Sequence, residues 1–248
     1  MLVLALLAAR TASAELVARS VTYMDGETVL EGYLAYDAAV SGERPGVLIA
    51  HQWKGLGDHE KARAEALARM GYVAFAIDVY GKGIRPETQP EASALASKYK
   101  ADRELLRRRV AAGLEAIKLQ ERVDRSRVAA IGYCFGGTAA LELARSGAPV
   151  LGVVSFHGGL SSPKPEDAAR IKGRVLALHG AEDPFVPPAE VAAFQEEMGN
   201  AKVDWQLISY GGAAHSFTVK SAGRDKSKGA AYDDRADQRS WRHMRGFL

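Results

Sequence analysis

The sequence predicts an α/β architecture: a mostly parallel sheet with helices on both faces and an antiparallel hairpin at one edge. Three observations carry it. Short β-branched runs alternate with longer helical patterns, most runs stop at Gly, His or Asp, and an Asp-Gly pair joins the first two. The 248 residues are 47% hydrophobic and 25% charged, enough for a large buried core and incompatible with a disordered chain. A formal charge of +3 gives no reason to expect nucleic acid as a partner. The single Cys excludes an internal disulfide framework and a Cys-based zinc site. No apolar run reaches the roughly 20 residues that a membrane span needs.

The elements follow in order. Residues 1–9 are apolar, and Ala12-Ser13-Ala14 before Glu15 reads as a small-residue cleavage site, although a basic n-region is missing. We therefore expect an export segment over residues 1–14 and one domain over 15–248, working in the periplasm or outside the cell. Retained as a helix, the same segment would place the protein in the cytoplasm. Residues 17–24 and 29–36 flank Asp25-Gly26 as a hairpin. Buried-looking strand runs follow at 47–50, 73–77, 128–131, 150–156, 175–178 and 203–209. Helical spacing fills the gaps at 58–70, 91–119, 138–144, 188–198 and 234–248, with Gly71 and Gly199 as stop signals and Pro188 as a start. The basic cluster from Arg103 to Arg109 reads as a solvated helix face.

Ligands of parallel sheets bind beyond the carboxyl ends of the strands, so the residues just after each run matter most. Gly132-Tyr133-Cys134-Phe135-Gly136-Gly137 joins a strand run to a helical one and reads as a nucleophile elbow, G-x-S-x-G with Cys for Ser and one extra Gly. Its glycines let the chain reverse sharply, and a helix N-terminus favours a thiolate. The alternative is an inert Cys buried in a Gly-rich turn. Asp183 follows the 175–178 run and His215 lies on a Gly-rich loop after the 203–209 run. Nucleophile, acid and base thus occur in the chain order of the α/β-hydrolase fold, each after its own strand.

With these residues in place, the sequence resembles the dienelactone hydrolase family over nearly all of the chain after residue 14. The stretches that carry the likeness are VLIAHQWKGLG (47–57), GYVAFAIDVYGKG (71–83), 132–137, 179–187, 210–217 and Arg239-Ser240-Trp241. The resemblance implies a Cys134–His215–Asp183 triad and an oxyanion hole from the backbone amides of Trp53 and Phe135. It needs no cofactor and no metal. Gln52 stands where the well-known chlorocatechol-pathway members carry a Glu that holds the resting thiol. Of their two basic clamps for a substrate carboxylate, one matches Lys82 at best and the other falls at Val219. We expect Gln52, Lys82 and Tyr133 to line the substrate pocket. His51, His157 and His179 are expected as satisfied loop histidines, and Asp78 as the cap of the turn at Tyr80-Gly81. Gly81-Lys82-Gly83 is too short for a phosphate loop.

The expected function is hydrolysis of a small-molecule ester or lactone by a monomer through a thioester on Cys134. Two rivals remain: a non-catalytic ligand-binding protein on the same fold, and a peptide- or acyl-transferring hydrolase, which would need a cap or a second domain.

Overall fold

A computed structural model describes residues 15–248; the expected export segment, residues 1–14, lies outside the described residues. The strands are β1 (Leu16–Asp25), β2 (Thr28–Asp37), β3 (Arg44–Ala50), β4 (Val73–Ile77), β5 (Val123–Tyr133), β6 (Gly152–Phe156), β7 (Arg174–Gly180) and β8 (Trp205–Tyr210). The helices are α1 (Asp58–Ala68), α2 (Gln89–Ala101), α3 (Arg103–Lys118), α4 (Phe135–Arg145), α5 (Pro188–Asn200) and α6 (Asp234–Phe247). They build one eight-stranded sheet in the order β1-β2-β4-β3-β5-β6-β7-β8. β1 pairs antiparallel with β2, and β2 antiparallel with β4, while β3 through β8 run parallel. This is the α/β-hydrolase architecture.

The two faces of the sheet have separate cores, set by the alternation of side chains along each strand. Leu48, Phe75, Ala130 and Val153 pack under α3, α4 and α5. Val47, Ile49, Ile131 and Val154 pack under α1 and α6. Burial on both faces explains why the central strands read as unbroken apolar runs. The strand order reverses between β3 and β5, which are neighbours in the sheet. Their carboxyl ends therefore open the crevice in which this topology places ligands.

Two expectations need correction. The 91–119 helix is two helices, because Asp102 leaves helical geometry and its carboxylate accepts from the Leu105 amide at 2.9 Å, starting α3 afresh. The basic cluster is not one solvated face. Arg108 is exposed, but Arg109 is buried against Asp25 and Thr28, and Arg107 pairs with Glu142 at 2.9 Å and Asp167 at 2.6 Å. Arg145 is fully buried, bonded twice to Glu197 at 2.8 and 2.7 Å, to Glu142 at 3.1 Å and to the Leu160 carbonyl at 2.8 Å. These pairs lock α3, α4 and α5 together behind the crevice.

Candidate active site

Cys134 is the hinge between β5 and α4, with φ 55° and ψ −118°. A non-glycine residue persists in that region only where its surroundings over-determine it. The surroundings are glycines that nothing larger could replace. A Cβ on Gly132 would run into the Gly136 carbonyl, and one on Gly136 would run into the end of β3 at Ala50 and lie 2.7 Å from the His51 carbonyl oxygen. The extra Gly137 has its own reason, since its Cβ would lie 2.8 Å from the Gly158 Cα.

The structure brings Cys134, Asp183 and His215 together from the ends of β5, β7 and β8. His215 Nε2 lies 3.1 Å from Cys134 Sγ, and His215 Nδ1 lies 2.7 Å from Asp183 Oδ2. The other Asp183 oxygen accepts from the Phe185 amide at 2.9 Å, so the carboxylate is held at both ends. The His215 loop is tied to residues 229–231 by its amide on the Gly229 carbonyl, 3.2 Å, and its carbonyl on the Ala231 amide, 2.9 Å. Burial alone would push the Cys134 thiol up, but the adjacent His215, aided by the Phe135 amide, brings it below its ordinary value. Burial likewise opposes an imidazolium on His215; the Cys134 thiolate and the Asp183 carboxylate outweigh it and push the ring up to about 10. Both shifts run in the direction that favours a thiolate facing an imidazolium.

Two further histidines brace this centre. His157 is fully buried with φ 39°, and its Nδ1 accepts from the Cys134 amide at 3.2 Å. Its Nε2 therefore carries the proton and donates to Thr218 Oγ1 at 2.8 Å. Burial, reinforced by His215, keeps this ring neutral. His51, after β3, makes two hydrogen bonds, to the Gln52 carbonyl and from the Val79 amide. Both fit the expectation of satisfied loop histidines. His179 does not, since its buried Nδ1 has no partner among the described residues. Asp78 caps the Tyr80-Gly81 turn as expected, accepting from those amides at 3.1 and 3.2 Å.

The expected pocket residues fare differently. Tyr133 does not reach the crevice. It shares the strand face of Ile131, is fully buried and stacks on Phe156 at 4.5 Å, so it belongs to the core under α1 and α6. Lys82 lies exposed at the surface, paired with Glu31 at 2.9 Å. Gln52 sits beside Trp53 at the crevice, its amide donating to Glu60 Oε1 at 3.2 Å. Glu60 went unnoticed in the sequence, although a Glu three residues after Gly57 is a helix-start signature. Its second oxygen accepts from the Gly57 amide at 3.0 Å. Phe185 was also missed. It is an exposed aromatic whose ring stands edge-on to His215 at 5.3 Å.

Fold and strand-end site together define an α/β hydrolase. The chain belongs to the dienelactone hydrolase family, whose model matches residues 30–248, and it is accordingly a hydrolase of the ester- and lactone-cleaving class. Among solved structures it is similar to m3DLH, at 43% identity and TM-score 0.90, covering 94% of this chain and 97% of that one. It is also similar to the dienelactone hydrolase-like promiscuous phosphotriesterase P91 from metagenomic libraries, at 44% identity and TM-score 0.88, covering 94% and 96%. A curated relative, the probable 2-oxo-3-(5-oxofuran-2-ylidene)propanoate lactonase of Bradyrhizobium sp, is 30% identical over 79% of this chain and 83% of its own.

Proposed function

We propose that the protein cleaves an ester or lactone through a thioester on Cys134, with His215 as the proton carrier and Asp183 as its orienting carboxylate. The observation that carries this reading is the continuous contact Sγ–Nε2–Nδ1–Oδ2, at 3.1 and 2.7 Å, beyond three parallel strands. The thiolate attacks the carbonyl carbon, and the negative charge moves to the carbonyl oxygen between the amides of Trp53 and Phe135. As that intermediate collapses, the imidazolium Nε2–H protonates the departing alkoxide, leaving a thioester and neutral His215. The same nitrogen then takes a proton from water, whose oxygen attacks the thioester and releases the acid and the thiolate. Asp183 keeps Nδ1 protonated throughout, so Nε2 alone exchanges the proton.

A carboxylated lactone is a poor fit as substrate, since Lys82 is paired with Glu31 and Val219 offers no charge. An uncharged ester whose apolar part rests on exposed Phe185 suits the site better. The 44%-identical phosphotriesterase favours a second reading, in which an activated phosphate triester offers its phosphoryl oxygen to the same two amides. The test is stoichiometric alkylation of Cys134, the only thiol in the chain. Hydrolysis of a chromogenic ester should vanish as the adduct forms, and full activity after complete modification would overturn the assignment. A binding protein without catalysis would show no turnover before alkylation either.

A further inference from the structure

We propose that His51 is a positioning residue that aims the Trp53 N–H at the reacting carbonyl oxygen by holding the Gln52–Trp53 peptide. The inference rests on the reading of Cys134 as nucleophile and of the Trp53 amide as half of its oxyanion hole. The Val79 N–H donates to His51 Nε2 at 3.1 Å, which fixes that nitrogen as an acceptor and puts the proton on Nδ1. Nδ1 then donates to the Gln52 carbonyl oxygen at 2.6 Å. Burial holds the ring at about 4, neutral in the working range and so in this one tautomer.

The Gln52 carbonyl and the Trp53 N–H belong to the same peptide unit. That unit is trans, so the two point in opposite directions across one rigid plane. Any group that fixes the oxygen fixes the N–H. Here there are two, the His51 ring and the Gly55 amide at 3.0 Å. The following peptide is held as well, by the Tyr80 hydroxyl donating to the Trp53 carbonyl at 2.9 Å. The His51 ring lies against Tyr80 at 4.6 Å and stacks on Phe135 at 5.9 Å. One buried aromatic cluster therefore supports both amides of the hole, Trp53 through His51 and Phe135 directly. A hydrogen bond to the carbonyl also polarises the attached N–H, making it a better donor to an oxyanion.

The two ring nitrogens can be separated by substitution. In His51→Asn the amide nitrogen falls near the place of Nδ1 and still donates to the Gln52 carbonyl, but Val79 loses its acceptor. In His51→Gln the amide falls near the place of Nε2, serving Val79 and abandoning Gln52. A purely structural role favours whichever variant is more stable, whereas positioning favours Asn. With a chromogenic ester, kcat should fall for His51→Gln by about tenfold to a hundredfold, the scale of a misplaced oxyanion donor. His51→Asn should recover most of that loss, and KM should move little in either. A peptide-free aldehyde, which forms a tetrahedral adduct with the thiolate, should bind more weakly to His51→Gln in step with kcat. Iodoacetamide, whose reaction needs no oxyanion, should alkylate all three proteins at the same rate. A Gln variant with native kcat, or one in which alkylation slows as much as hydrolysis, overturns the proposal. Native turnover that survives Cys134 alkylation would instead overturn the nucleophile assignment beneath it.

Discussion

Alkylation of Cys134 as a function of pH probes the resting ion pair directly. An ordinary thiol with a pKa near 8.5 is roughly 0.3% thiolate at pH 6. Burial would push Cys134 above that value, and His215 at 3.1 Å, with smaller help from Lys100 and the Phe135 amide, reverses the sign. If the pair is mostly ionised at pH 6, its thiolate population exceeds that of a free cysteine by about two orders of magnitude. A lower-pKa thiolate is a weaker nucleophile, so the expected advantage in rate is about tenfold to a hundredfold. The plateau is bounded at both ends. Below the depressed thiol value the sulfur protonates and the rate falls; the imidazolium persists until pH rises through about 10. His215→Ala removes the charge that offsets burial, so its thiol should titrate at or above the ordinary value, with alkylation at pH 6 slower by about a hundredfold. The assay is the rate of adduct formation by mass spectrometry between about pH 5 and 9. Every adduct reports on Cys134, the only thiol in the chain. A native rate that climbs through the slightly alkaline range like that of a free cysteine, matched by His215→Ala, would refute the ion pair.

Asp183→Asn keeps the base but loses the tautomer that the 2.7 Å contact enforces, so kcat on a chromogenic ester should fall by about 10⁴-fold, as in the best-studied serine triad. Arg145→Ala strands buried Glu197, while Glu142 keeps Arg107, and this should destabilise the fold by about 3 to 5 kcal/mol. Calorimetry should then show a midpoint lower by roughly 6 to 20 °C, with kcat of the folded enzyme little changed. Gln52→Glu sets a second carboxylate against Glu60 and adds negative charge near the thiolate. Alkylation near neutral pH should slow by roughly a few-fold to tenfold. The swapped pair Gln52→Glu/Glu60→Gln restores the hydrogen bond and should keep the slow alkylation while regaining the lost stability. An unchanged rate in both would make Gln52 a loop residue without electrostatic influence on Cys134.

What the sequence reveals is what depends on order and local pattern. The parallel runs from β3 to β8, the hairpin and the strand-end placement of Cys134, Asp183 and His215 follow from alternation and from glycines that leave no room for a side chain. What it hides depends on which partner comes from far along the chain. Arg107 looks like any residue of a basic stripe until Asp167, sixty positions on, meets it. Tyr133 adjoins the nucleophile in sequence, yet strand alternation turns it to the opposite face, where Phe156 and Arg63 cover its ring. The break at Asp102 lies between the two extremes. An Asp within a long helical pattern is a possible cap, but only the helix geometry on either side decides it.

The same distinction explains why strand-end histidines that look alike in sequence have different chemistry. His51, His157 and His215 all lie near carboxyl ends of strands, and all three are largely withdrawn from water. Desolvation therefore pushes each toward the neutral form. For His51 and His157 the neighbours are amides, carbonyls and a hydroxyl, which fix a tautomer and supply too little negative charge to reverse that push. Only His215 has an acidic group on each nitrogen, the Asp183 carboxylate and the Cys134 thiol, and only there does the sign reverse. Burial leaves the other two neutral and able to hold backbone in place: the Cys134 amide for His157 and the Gln52 carbonyl for His51. Exchanging those neighbours would exchange the roles. A carboxylate introduced beside His51 would stabilise an imidazolium whose second N–H faces the Val79 amide, and the loop carrying Trp53 would have to give way.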